Sequence, residues 1–254
     1  MTCDLRQAAR RALASLDLTD LSDDCDAAAI ERLCGRAVTR HGPVAAVCIW
    51  PRFVARAVPL LAGTGVKIAT VVNFPSGDAD PEPVAADIRA AIADGADEID
   101  LVIPYRALIE GRDGAARAMV ARARATAPGA VLKVILETGK LRDPGLIRHA
   151  ADLAIAEGAD FIKTSTGKVE TNATPEAARI MLGVIAESGR PVGFKPAGGI
   201  RTVDDAARFL ALADEIMGAG WATPQTFRFG ASGVLDAILA TLDGTAAPQA
   251  GTAY

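Results

Sequence analysis

Short runs rich in β-branched and other apolar residues recur along the chain. They are separated by alanine-rich stretches whose apolar positions repeat every three or four residues. The runs are Ala45–Trp50, Lys67–Phe74, Glu98–Pro104, Val131–Thr138, Phe161–Ser165, Val192–Pro196, Glu215–Gly218 and Phe227–Ala231. Their length and composition predict eight strands, Glu215–Gly218 being the weakest. Between them, Pro83–Asp94 carries Val84, Ile88 and Ile92 on one stripe, and Leu146–Glu157 carries Ile147, Leu153 and Ile155. Thr174–Ser188 opens on an N-cap threonine, with Pro175 at the first helical position and Glu176 beside the positive end of the helix. Gly95, Gly158 and Gly189 stand where helices stop ahead of the next strand.

Alternating strands and helices predict a parallel sheet, and eight such units in a chain of 254 residues predict an α/β fold, the (β/α)8 TIM barrel, as a single domain over 1–254. An open doubly wound sheet is the rival. Such a sheet usually carries a glycine-rich nucleotide loop after its first strand, where this chain has Trp50-Pro51-Arg52-Phe53. Residues 1–41 predict an N-terminal helical extension of two helices, roughly Leu5–Leu16 and Asp24–Arg40, closing the N-terminal end of the barrel. Residues 244–254, rich in Gly, Ala, Pro and Thr, predict a flexible C-terminal tail.

Half of the residues are hydrophobic, enough for a sizeable core, and the formal net charge is −4 with no basic block, which argues against a nucleic-acid partner. No run approaches 18 apolar residues, so no membrane span is predicted, and the charged first residues lack a secretory leader. The four cysteines (Cys3, Cys25, Cys34, Cys48) show no CxxC spacing, and the two histidines, His41 and His149, lie far apart. These features predict a cytoplasmic protein with reduced thiols and no metal site.

The chemistry is signalled by two lysines inside strands that should be oily. Lys163 lies in Asp160-Phe161-Ile162-Lys163-Thr164-Ser165-Thr166-Gly167-Lys168, and Lys195 in Val192-Gly193-Phe194-Lys195-Pro196-Ala197-Gly198-Gly199. A buried lysine has a partner or a task. Burial and a second nearby cation both disfavour the ammonium form, and a neutral amine adds to carbonyls to give Schiff bases. The plain alternative, a structural pairing with a carboxylate, fits one such lysine better than two. Sites in barrels form at the C-terminal ends of strands, where Asp100, Lys133 and Glu137 also fall. Asp100 is a proton-transfer group or half of an ion pair; Lys133 and Glu137 read as a supporting charge network; Cys48, in an apolar strand, reads as packing. Late in the chain, Gly198-Gly199 and Gly230-Ala231-Ser232-Gly233 are small, and the second run opens a helix over Ser232–Leu242. Such loops and helix starts hold phosphate in barrels, although turn formation alone also explains the glycines.

These stretches, together with Leu16-Asp17-Leu18-Thr19, Val47-Cys48-Ile49-Trp50-Pro51-Arg52-Phe53, Val72-Asn73-Phe74-Pro75, Asn172-Ala173-Thr174-Pro175-Glu176 and Arg228–Ser232, resemble the 2-deoxyribose-5-phosphate aldolase family nearly end to end. The resemblance implies a cofactor-free class I aldolase of deoxyribose phosphate degradation. Its substrates are a phosphosugar and aldehydes, with no nucleic acid and no membrane, and relatives are often homodimers. It implies Lys163 as the imine-forming lysine, Lys195 as the second lysine that tunes it, and Asp100 as the carboxylate of a proton relay. Gly199, Gly230 and Ser232 fall at phosphate contacts, with Gly198 and Gly233 beside them, and Gly167 and Lys168 belong to the same binding loop. Thr19 and Cys48 are implied to line the pocket, Asp17 and Lys133 to support it, and Tyr254 to reach in from the tail and assist proton transfer. Gly233 stands where many relatives carry a second serine, and Ser76 where a histidine is common. Two alternatives stay open: another Schiff-base barrel aldolase acting on a keto-sugar phosphate, separated by its donor substrate, and a non-catalytic phosphosugar-binding barrel, opposed by the trio of Asp100, Lys163 and Lys195.

Overall fold

The structure, a computed structural model, describes residues 4–245. Tyr254 and all but the first two residues of the predicted tail lie outside the described residues. The elements run α1 (Leu5–Ala14), β1 (Leu16–Asp20), α2 (Ala27–Arg36), β2 (Val38–Thr39), β3 (Gly42–Pro43), β4 (Ala46–Ile49), α3 (Val54–Leu61), β5 (Lys67–Val72), α4 (Pro81–Ala93) and β6 (Glu98–Val102). They continue α5 (Tyr105–Ile109), α6 (Asp113–Thr126), β7 (Val131–Ile135), α7 (Thr138–Leu141), α8 (Pro144–Ala156), β8 (Phe161–Lys163), α9 (Pro175–Ser188), β9 (Gly193–Lys195), α10 (Val203–Met217), β10 (Phe229–Ala231) and α11 (Val234–Asp243).

Eight of these strands form one parallel sheet in the order β10-β1-β4-β5-β6-β7-β8-β9. Backbone bonds close the ring across β9 and β10: the Phe194 N–H donates to Thr226 O, Arg228 N–H to Phe194 O and Gly230 N–H to Pro196 O. The architecture is the predicted (β/α)8 barrel, with one strand exchanged. The first barrel strand is β1, inside the segment predicted to be purely helical, and Glu215–Gly218 supplies no strand because α10 runs through to Met217. In Leu16-Asp17-Leu18-Thr19-Asp20, the leucines join the outer core beneath the helices. The alternate positions therefore face the barrel axis. The second predicted N-terminal helix is shorter than expected, and β2 and β3 form a small antiparallel hairpin behind it.

Helix starts follow side-chain chemistry. Asp80, Asp143 and Thr174 each accept a backbone N–H at an N-cap followed by proline, and Thr202 and Asp205 form a capping box at α10. Gly189, at φ +64°, ends α9 in the left-handed region that only glycine enters without strain.

The barrel interior is unusual. On the β4–β5 side it is filled by small apolar groups, Ala46, Cys48, Ala69 and Val71. Elsewhere it is filled by charge: Asp17, Glu98, Asp100, Lys133, Lys163 and Lys195 are all at most 3% exposed. Barrels normally layer branched apolar residues there.

Candidate active site

Strand register brings the charges together. Asp100 pairs with Lys133 across β6 and β7, and Lys163 with Lys195 across β8 and β9. Directly opposed residues of neighbouring strands point to the same face. Asp100 Oδ2 accepts from Lys163 Nζ at 2.7 Å and from Lys195 Nζ at 2.8 Å, while Asp100 Oδ1 accepts from Lys133 Nζ at 2.8 Å. Lys195 also donates to Asp17 Oδ2 at 2.5 Å. Lys133 lies 2.6 Å from Glu98 Oε2 and 3.7 Å from Asp17 Oδ2. Arg228, just ahead of β10, donates to Asp17 Oδ1 at 2.7 Å and to both oxygens of Glu98 at 2.9 and 3.2 Å.

Four cations thus meet three carboxylates at ion-pair distance in a buried interior. Burial alone would push Asp17 and Asp100 up, but the surrounding cations outweigh it and hold both well below the usual carboxylate range. Burial likewise opposes the charge on Lys133 and Lys195, and the facing carboxylates raise both above the ordinary lysine value. Lys163 has a single carboxylate partner, Asp100, whereas Lys195 and Arg228 have two and Lys133 has three.

Above this cluster opens a cavity of about 510 Å³. Lys163 lies on its floor, with Thr19, Gly167, Lys168, Gly198, Gly199, Gly230, Ser232 and Gly233 on its walls. Asp100 and Lys195 lie beneath Lys163 and do not line it. Cys48, expected to line the pocket, does not: the register of β4 turns it into the small apolar cluster, fully buried, and burial pushes its thiol up. Glu137 makes no ion pair with the four cations; it accepts the Thr166 N–H and hydroxyl, at 3.2 and 2.5 Å, and so shapes the Thr164–Lys168 loop, while its charge interacts with that of Lys163. Burial moves Glu137 up despite those bonds. Asp17 and Lys133 are in the network. Glu98 and Arg228 are equal members that sequence reasoning missed; the signal available was the two-residue spacing of Glu98 and Asp100 on one strand, which puts both on the same face.

At the far wall, the Gly198 position leaves no room for a side chain: a Cβ would sit 2.7 Å from Asn172 Cβ. At Gly230 a Cβ would meet Ala197 Cβ at 2.8 Å and Lys195 Cε at 3.2 Å, so this glycine admits the lysine stem. Gly233 is the N-cap of α11 and supplies no side-chain acceptor, leaving the first N–H groups of a ten-residue helix available to an anion. Lys168 Nζ donates to Asp23 at 3.1 Å at the rim. An amine beside a carboxylate on the floor and an anion cradle across the cavity suit a phosphorylated carbonyl compound. Among the described residues, no cluster of His, Cys, Asp and Glu suits a metal ion, and no helix is long and apolar enough to cross a membrane.

Comparison with known proteins agrees with this chemistry. A family model for DeoC/LacD family aldolases matches residues 11–234. A deoxyribose-phosphate aldolase of Agrobacterium fabrum is 57% identical over 251 residues, covering 98% of this chain and 97% of the relative. A candidate deoxyribose-phosphate aldolase of Toxoplasma gondii ME49 superposes in its apo form with a TM-score of 0.86 at 26% identity, over 96% of this chain and 99% of that one. The tetrameric deoxyribose phosphate aldolase of Aeropyrum pernix shares the fold, with a TM-score of 0.73 at 24% identity over 96% and 97% of the two chains.

Proposed function

This chain belongs to the DeoC/LacD family of aldolases, and we propose that within it the protein reversibly cleaves 2-deoxy-D-ribose 5-phosphate to acetaldehyde and D-glyceraldehyde 3-phosphate through an imine on Lys163. The observation that carries this reading is the imbalance of the buried cluster. Four cations face three carboxylates, and Lys163, the only one of them at the cavity floor, has the fewest partners. Lys163 is thus the amine of the cluster least engaged by carboxylates, and it stands where a carbonyl can enter.

The Lys163 amine adds to the aldehyde carbon of the open-chain sugar, and the carbinolamine loses water to give the protonated imine. Asp100, 2.7 Å from Lys163 Nζ, is placed to receive the proton that leaves nitrogen and to return it to the departing hydroxyl. The substrate's C3 hydroxyl then gives up its proton through water to the same carboxylate. The C2–C3 bond breaks, its electron pair flows into the imine, and the three-carbon aldehyde phosphate departs. The remaining enamine is protonated at C2, in which Tyr254 is proposed to assist, and hydrolysis frees acetaldehyde and Lys163. Lys195 acts through Asp100 and Asp17 and does not touch the substrate. The backbone of Gly198, Gly199, Gly230, Ser232 and Gly233 is proposed to hold the phosphate, with Lys168 swinging from Asp23 to add charge.

No metal enters this scheme, because the imine is the electron sink. We place the enzyme in deoxyribose phosphate degradation in the cytoplasm, as a homodimer, which light scattering checks. The chemistry is tested by incubating the protein with acetaldehyde, reducing with borohydride and mapping the adduct by peptide mass. A two-carbon adduct at Lys163 is expected; an adduct elsewhere, or none, overturns the assignment.

A further inference from the structure

The ion network does not end at the reacting lysine. It runs the length of the barrel interior, from Lys163 through Asp100, Lys195 and Lys133 to Asp17 and Glu98, and finishes at Arg228. There a second cavity opens at the N-terminal mouth, with Arg228 and Glu98 in its wall. Arg228 is clamped: both guanidinium ends bind carboxylates, its Nε donates to Pro224 O at 2.5 Å, and its Cζ lies 5.8 Å from the Phe161 ring centroid. A guanidinium cannot shed its proton in a protein. It is therefore the one cation in the cluster whose charge is fixed, and it sits at the opposite end from the chemistry.

We infer that Arg228 is a positioning residue for the amine chemistry of Lys163, supplying from the N-terminal end of the barrel a fixed positive charge that opposes a proton on Lys163. With Arg228, four cations face three carboxylates at ion-pair distance; without it, three face three, and the repulsion that favours loss of a lysine proton is smaller. The inference rests on the imine assignment to Lys163. The groups that face Lys163 are few. Asp100 is in contact, and Lys195, Lys133, Asp17 and the Cys48 thiol lie around it within the barrel. Glu137, in the loop after β7, has its oxygens engaged by Thr166 and makes no ion pair with Lys163, but lies near enough for the two charges to interact. On the cavity walls are Asp20, Asp24, Arg36, Lys168 and Asp236. Arg228 itself faces Asp17, Glu98 and Lys133.

The test is the pH dependence of borohydride trapping of acetaldehyde on the full-length protein. Loss of a positive charge favours the protonated amine, so Arg228→Met moves the acid limb of trapping to higher pH and slows trapping on that limb by about threefold or more at fixed pH. Loss of a negative charge does the reverse, so Glu98→Gln moves the limb to lower pH. The double variant Arg228→Met/Glu98→Gln leaves three cations against two carboxylates and returns the limb to its wild-type place, and Arg228→Lys keeps it there. A merely structural role predicts loss of folded protein in every variant and no such opposed shifts. If Arg228→Met fails to fold, the acid shift of Glu98→Gln decides alone. Limbs that stay put, or that move the same way in both single variants, overturn the inference. Absence of a Lys163 adduct in the wild-type protein overturns the imine assignment instead.

Discussion

Lys163 and Lys195 donate to one and the same oxygen, Asp100 Oδ2, at 2.7 and 2.8 Å. A single carboxylate oxygen between two ammonium groups couples their charges: what one gives up, the other holds more firmly. Lys195→Leu removes the second cation and leaves Asp100 to Lys133 and Lys163. We expect kcat to fall about 100-fold or more with KM changed little, since the interaction lost acts on the reacting nitrogen and not on the phosphate. Steady-state kinetics on 2-deoxyribose 5-phosphate provide the measurement, and full turnover at pH 7 would falsify the coupling.

Two glycines of the cavity wall should respond differently to substitution. A Cβ at Gly230 meets Ala197 and the Lys195 stem. Gly230→Ala is thus expected to destabilise the fold by about 1–3 kcal/mol and to lower kcat by displacing Lys195. Gly233, at φ −90° with open space around its Cα, accepts a side chain without strain. Gly233→Ser should leave Tm essentially unchanged, within about 0.5 kcal/mol, and lower KM for the phosphorylated sugar by adding a hydroxyl donor. Thermal melts and KM values separate the two outcomes, and a destabilised Gly233→Ser would contradict the local geometry.

The ion network sets the acid limit of stability. Asp17 and Asp100 are held below their ordinary value of about 3.9 in the fold, so the unfolded chain binds more protons in acid. Their stabilisation is complete above about pH 4 and is lost as pH falls through the native values. Lys133 and Lys195 are raised, so their contribution is complete below about pH 10 and is lost only as pH rises through still higher values. Glu137, raised by burial, works in the opposite sense and slightly favours the fold in mild acid. Tm against pH should therefore show a broad plateau and a steep fall below about pH 4; a fall beginning near neutrality would show that the network is not fully ionised.

The thiols should be inert in the native state. Cys25, Cys34 and Cys48 are buried and unpaired. Burial raises all three, with Asp20 helping to push Cys25 up to about 11. Iodoacetamide at pH 8 should leave these three unlabelled until denaturant is added, as peptide mapping can read, because the thiolate is the nucleophile.

The barrel and its two buried strand lysines were legible in the sequence because they are local. Lys163 and Lys195 interrupt apolar runs, and glycines and capped helices mark the joins. β1 was not, because Leu16-Asp17-Leu18-Thr19-Asp20 alternates in the way of a strand with one wet face, adjoins a helix, and hides that its polar face looks into the barrel. The false strand at Glu215–Gly218 is the apolar end of α10, where three residues cannot tell strand from helix. Glu98 and Arg228 escaped notice for a different reason. Their bond joins residues 130 apart in sequence, and only closure of the ring makes them neighbours. Cys48 shows a finer limit: the pleat of β4 turns it to the barrel interior near Asp100 and the lysines, but packing against Ala46, Ala69 and Val71 keeps it out of the cavity wall.

The small residues that fill the β4–β5 side of the barrel, Ala46, Cys48 and Ala69, have a consequence for anyone who would redesign this protein. Barrels commonly keep conservation for stability at one end and for chemistry at the other, so that a floor can be rebuilt while the mouth is left alone. Here the lack of bulk on one side gives long charged side chains the axis from floor to mouth. A stabilising repack at the floor would have to preserve the ionic ledger as well as the volume, and libraries that vary the two ends separately will sample combinations whose effects do not add.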